Sequence, residues 1–248
     1  MNRQAQAVVL LLLGGAVVRA TATDMHLRYV KPQLGPFLLA AGALLLAAGV
    51  MTLVHELRRR PVPAHDGPEP GDDHGHEHGG GGHHEPRIGW LLILPVLGLL
   101  LVAPPALGSY AAGQAGTALS SQQVTDFAPL PAGDPAKISV LDYASRAVFD
   151  KGASLGDRTV ELTGFVATGP DGSLYLARII LSCCAADGRP IKVGMAGNGP
   201  AGLAPDSWVR VAGRYTVRTA RDPVNDETIP FLDVETWEQI DPPKQQYE

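Results

Sequence analysis

Three apolar runs constrain this chain most: Ala7–Val18, Phe37–Val54 and Ile88–Leu107. The second and third carry no charge. A helix that crosses a bilayer needs roughly 20 mainly apolar residues. In hydrocarbon, only a helix or a closed barrel satisfies its own backbone polar groups. The runs therefore read as three helices, at about residues 5–22, 37–54 and 88–107, within a membrane region over 1–107. Pro95 lies inside the third and can kink it. The first run is short, and a second reading stays open for it. Arg3, an apolar stretch and then Ala20-Thr21-Ala22 also fit a secretory signal with a cleavage site.

Basic residues near helix ends set orientation, with the richer side cytoplasmic. Arg3, Arg58, Arg59, Arg60 and Arg87 fall on one face, and Arg19, Arg28 and Lys31 on the other. The expectation is a multi-pass protein of the cell membrane, with the N-terminus inside and the C-terminal domain extracytoplasmic. From Gly108 onward there are 12 Lys+Arg against 17 Asp+Glu. A nucleic-acid backbone demands clustered positive charge, so that balance argues against such a ligand. It argues equally against docking on anionic lipid through a basic patch.

Residues 108–137 are rich in Gly, Ala, Ser and Gln and read as a linker. A soluble domain is expected over 138–248, led by an amphipathic helix from Ile138 to Asp150 with Ser139 as its N-cap. The period then changes to two. Val160, Leu162 and Val166 share one face of a strand; Leu174–Leu181, Pro190–Met195, Trp208–Val217 and Ile229–Ile240 supply four more. Gly169-Pro170-Asp171-Gly172 marks a turn. Gly164 and Gly213 sit inside strands, as at bulges or barrel corners. Five short strands suit a small closed barrel. The fold class is thus a membrane α-helical N-terminal region plus a small all-β, OB-like barrel C-terminal domain, with a β-sandwich as the alternative.

Two clusters carry chemistry. The stretch 61–86 is Pro, Gly, His and acid, with almost nothing to bury, and is expected to be disordered. It contains His74, His76, His78, His83 and His84. Imidazoles at this spacing can wrap Zn, Ni or Cu weakly and exchangeably. The plain alternative is a solvated linker.

The other cluster is Cys183-Cys184, followed by Asp187 and preceded by the apolar run Ile179–Leu181. Neighbouring cysteines are poorly placed for a mutual disulfide, because one trans peptide separates their Cα atoms by only about 3.8 Å. A metal site here lacks Cys-x-x-Cys spacing and any histidine in the C-terminal domain. A redox pair lacks the two-residue spacer. Two readings remain open: buried packing in a strand, and a ligand-facing or redox role.

No enzyme signature stands out. The C-terminal domain has no histidine for a Ser/His/Asp set, and Gly194-Met195-Ala196-Gly197-Asn198-Gly199 lacks the Lys-Ser/Thr ending of a phosphate loop.

Four segments carry a family resemblance: Arg28-Tyr29-Val30-Lys31-Pro32, Ala103-Pro104-Pro105-Ala106-Leu107-Gly108-Ser109, Leu162-Thr163-Gly164-Phe165-Val166, and Leu181-Ser182-Cys183-Cys184-Ala185-Ala186-Asp187. Together they resemble an uncharacterised bacterial family of membrane proteins described as auxiliary subunits of a two-component permease. Arg178 occupies the usual arginine position of that pattern, whereas the His tract is no part of it. The resemblance implies a separate multi-helix permease as partner and a transport-linked role, with no catalytic or cofactor residues to carry over. The expectation is a non-enzymatic accessory subunit of a membrane permease, embedded in the lipid bilayer, whose β domain acts in assembly, gating or substrate presentation. The alternative is a metal-binding membrane protein that uses the His-rich loop as a Zn, Ni or Cu buffer or sensor.

Overall fold

The structure, a computed structural model, describes residues 3–58, 97–98, 105–119, 126–169 and 172–248. The His tract and nearly all of the third apolar run lie outside the described residues. The chain forms two compact units: Met1–Thr23 with Pro36–Pro104, and Asp24–Gly35 with Pro105–Glu248.

In the first unit, α1 (Arg3–Ala22) and α2 (Gly35–Arg58) are both helices. The spans Ala5–Ala22 and Pro32–Arg58 are each long and apolar enough to cross a membrane. The two helices pack through small residues. A methyl group added at Gly14 would stand 2.9 Å from the backbone nitrogen of Leu46, and one at Gly42 would stand 2.8 Å from the Val18 side chain. Gly49 meets Leu11 in the same way at 2.9 Å. Such close backbone approach is the usual means of association where lipid removes the hydrophobic drive. Phe37, Leu44 and Met51 recur every seven residues on α2 and are more than 70% exposed. On a soluble protein such a face would be a liability.

The second unit is a barrel with additions. Its elements are α3 (Ser109–Gln114), β1 (Ala136–Lys137), α4 (Val140–Phe149), β2 (Val160–Thr168), β3 (Leu174–Ile180), β4 (Arg189–Gly197), β5 (Trp208–Arg221) and β6 (Thr228–Ile240). Strand order is β2-β3-β4-β6-β5, and β5 pairs back onto β2 to close the barrel. Pairings are antiparallel except β4 with β6, which is parallel, as is the short β1 on β2. The sheet is therefore the closed five-stranded OB-like barrel expected from the pattern.

Both strand glycines have a geometric cause. β2 pairs with β5 from Val160 to Phe165 and with β3 from Phe165 to Thr168, so its bend falls at Gly164–Phe165. A methyl group at Gly164 would stand 2.6 Å from the Ala177 carbonyl oxygen. The register of β5 on β6 shifts at Ala212/Gly213, a bulge.

The core joins Leu162, Val166, Leu176, Ile191, Val193, Val209, Val211 and Leu232. α4 adds Val140, Tyr143 and Ala144, all fully buried. Ser139 caps it, its hydroxyl accepting the Asp142 N–H at 2.9 Å. The Tyr143 hydroxyl donates to the Phe231 carbonyl at 2.6 Å.

Residues 108–137, expected as a linker, are folded at both described ends. Ala112 on α3 and Thr117 are fully buried. The Thr117 N–H donates to Asp222 Oδ2 at 2.9 Å, and Lys192 Nζ makes a buried ion pair with the same oxygen at 2.9 Å. Small residues account for the discrepancy: Gly and Ala allow the close packing that composition alone reads as looseness. Burial alone would raise the Asp222 carboxyl, but Lys192 and the N–H groups of Val224 and Thr117 hold it below its ordinary value.

Candidate functional site

β3 ends at Ile180, and the chain turns through Ser182 and Cys183 into a single 3-10 turn, Ala185–Asp187. Asp187 causes the turn. Its Oδ1 accepts the Ser182 N–H at 2.7 Å, and its Oδ2 accepts the N–H groups of Cys183 at 2.7 Å and Cys184 at 3.3 Å. The Asp187 N–H in turn bonds the Cys184 side chain, closing a reciprocal capping box.

The strand-packing reading of the cysteines does not hold. Neither lies in a strand; Cys183 is exposed, Cys184 is half-buried, and both are free thiols. The apolar run ends at Leu181, because three N–H groups bonded to one carboxylate cannot belong to a sheet ladder. The structure places Asp187 against both thiols. The two Sγ atoms and a carboxylate oxygen all lie within 4.8 Å of one another. In an extended strand, neighbouring side chains point to opposite faces, so this convergence is a product of the turn.

The electrostatics follow from the same contacts. The hydrogen bond to the Asp187 carboxylate pushes the Cys183 thiol up to about 11, with Cys184 adding to the effect. The reciprocal bond from Cys183, helped by the three backbone N–H groups, holds Asp187 down at about 2. At neutral pH the site is a protonated Cys183 donating to an ionised carboxylate.

Residues 147–248 match the DUF1980 C-terminal domain. This is a family of unknown function, and its match spans the barrel strands and the whole Cys-Cys-Ala-Ala-Asp turn. No curated protein and no solved structure matches the chain.

The cysteine turn is bonded to a segment outside the matched residues. Val30 and Cys184 form an antiparallel β-bridge. The Ala185 N–H donates to the Tyr29 carbonyl at 2.6 Å, and the Lys31 N–H donates to the Cys183 carbonyl at 3.2 Å. Asp24–Gly35, which joins α1 to α2, thus folds as part of the barrel's own unit. Hydropathy could not reveal this, because Tyr29-Val30-Lys31 contributes backbone groups rather than an apolar pattern. The Tyr247 hydroxyl adds a second tie, accepting from the Leu107 N–H at 2.9 Å and donating to the Arg28 carbonyl at 2.8 Å.

Arg178 does not belong to the thiol cluster. It is buried, with its guanidinium 4.8 Å above the Trp208 ring and its Nε 3.6 Å from Glu248 Oε1. Its Nη2 donates to the Gln245 carbonyl at 2.8 Å. Glu248 also accepts the Val140 and Leu141 N–H groups, each at 3.1 Å, at the start of α4. Arg178 therefore holds residues 245–248 against the barrel. A cleft of ≈ 950 Å³ opens beside the cysteine turn, with Lys31, Ser182 and Arg189 among its lining.

Proposed function

We propose that this protein is a non-enzymatic accessory subunit of a membrane permease, its DUF1980 barrel standing outside the membrane at the mouth of the partner. The observation that carries this is the backbone pairing of Tyr29-Val30-Lys31 with Cys183-Cys184-Ala185. A change at the exposed thiol turn is felt directly by the twelve-residue connection between α1 and α2, with no long path to cross.

Connectivity supports the arrangement. The connection lies on the face where α1 ends and α2 begins. In this reading the barrel, which shares a folded unit with that connection, stands on the same side of the membrane as the connection. When α2 crosses the bilayer, the chain must cross again before Pro105, and the apolar stretch that begins at Ile88 is available for it. Basic residues at Arg3 and Arg58–Arg60 orient that common face outward. The exposed row of Phe37, Leu44 and Met51 then faces lipid or a partner's helices.

The test is affinity purification of the full chain from its native membranes in mild detergent. Co-purification of a multi-helix permease in fixed ratio supports the reading. Recovery of the chain without any membrane partner, under conditions that keep other membrane complexes intact, overturns it.

A further inference from the structure

We propose that Cys183, Cys184 and Asp187 form an exchangeable site for Zn²⁺, with both sulfurs and one carboxylate oxygen as ligands and a fourth position left open. Their chemistry selects the ion. Two thiolates favour a soft or borderline cation, and a carboxylate beside them suits zinc, which takes both sulfur and oxygen. The inference deepens the permease reading by naming the class of cargo that the turn would present.

The geometry is close to what zinc needs. Tetrahedral zinc with Zn–S near 2.3 Å and Zn–O near 2.0 Å sets its ligand atoms roughly 3.5–3.8 Å apart. The three ligand atoms already lie within 4.8 Å of one another. Closing the remainder takes rotation about side-chain torsions, because the backbone of the turn is fixed. Three N–H groups hold the Asp187 carboxylate in place. The bridge to Val30 holds Cys184. The Asp187 N–H bonds the Cys184 side chain, a donor that also supports a thiolate. On binding, each thiol releases its proton to solvent and the metal replaces the proton that Cys183 shares with Asp187.

Exposure sets the behaviour of the site. A structural zinc is closed by four protein ligands, whereas three ligands at an exposed turn leave a position for water or for a donor from another protein. Such an ion can be handed on.

The experiment uses the full chain in detergent under a non-thiol reductant. His74, His76, His78, His83 and His84 are replaced by Ala so that the His tract cannot contribute. Co²⁺ is titrated as the spectroscopic probe, and Zn²⁺ is then added to displace it. One Co²⁺ per chain with thiolate-to-cobalt charge-transfer absorption is expected, abolished in Cys183→Ser and in Cys184→Ser. Asp187→Asn should weaken binding by about tenfold or more. A second measurement needs no site variant: Zn²⁺ should slow alkylation of both thiols in this same protein. No charge-transfer absorption, or absorption that survives Cys184→Ser, overturns the proposal, as does alkylation unchanged by Zn²⁺. Zinc binding by the purified chain and recovery of a permease are read separately, so either idea can fail without the other.

Discussion

Val30 pairs with Cys184 across an antiparallel bridge, although 153 positions and a membrane-type helix separate them in the chain. Lys31 and Ala185 donate on either side of that bridge. Their amide hydrogens should therefore exchange slowly and together, opening as one unit. Hydrogen-exchange mass spectrometry on the full chain checks this. Fast exchange at Lys31 alongside strong protection at Ala185 would show that the two strips are not paired.

Cys183 should be a slow nucleophile. Only the thiolate reacts, and Cys183 is held protonated up to about 11 by its bond to Asp187. Alkylation of Cys183 should stay slow near neutral pH and keep rising through pH 9 and 10, where an ordinary thiol has levelled off. Asp187→Asn removes the negative charge, so the profile should shift to lower pH. The measurement is the alkylation rate against pH, with sites mapped by mass. An unshifted profile in the variant contradicts the assigned cause.

Asp222 and Lys192 form a buried pair that ties β4 and the end of β5 to the segment around Thr117. Removing one partner leaves a buried charge uncompensated, at a cost of about 3–5 kcal/mol. Asp222→Asn or Lys192→Met should lower the denaturant midpoint accordingly. The pH dependence has a definite sign. The folded-state carboxyl of Asp222 sits below its ordinary value, so its contribution is complete above roughly pH 4, the unfolded value, and is lost as pH falls through the folded value. Asp222→Asn should flatten that acid limb. An equally steep limb in the variant would assign it to other groups.

Arg178 lies over Trp208 and beside Glu248. Arg178→Ala removes the ring contact and strips a buried carboxylate of its cation, for an expected loss of about 2–4 kcal/mol. Indole emission should change in the folded state, because the cation leaves the ring. Stability equal to the parent protein, with unchanged emission, would mean that residues 245–248 are held without it.

Much of the barrel could be read in the residues. Val160 and Leu162 alternate with half-buried Glu161 and Thr163 because the first half of β2 has one face in the core, whereas from Gly164 to Ala167 both faces are buried; Ser139 announces α4 by its capping chemistry. Gly164 and Gly213 mark the corner and the bulge where a side chain would strike backbone. The site was less legible. An aspartate three and four residues beyond two cysteines carries no periodic signal, and its carboxylate reaches back only because three N–H groups converge on it. The same limit hid the role of Asp24–Gly35. Backbone-to-backbone pairing between remote strips is indifferent to side-chain pattern, so composition has nothing to register. For 108–119, burial rests on Ala112, Thr117 and Leu119, a single large apolar side chain among small ones and too little to weigh in a hydrophobic count.

The division of the barrel's unit between Asp24–Gly35 and Pro105–Glu248 gives its assembly an order in time. During synthesis the strip Tyr29-Val30-Lys31 emerges long before Cys183, Cys184 and Ala185 exist to pair with it. Its backbone groups have no partner there until those residues are made. The pairing forms only once the early and late pieces meet. The pairing at the cysteine turn is therefore a late contact of the unit, formed after β1, α4, β2 and β3 have all been made.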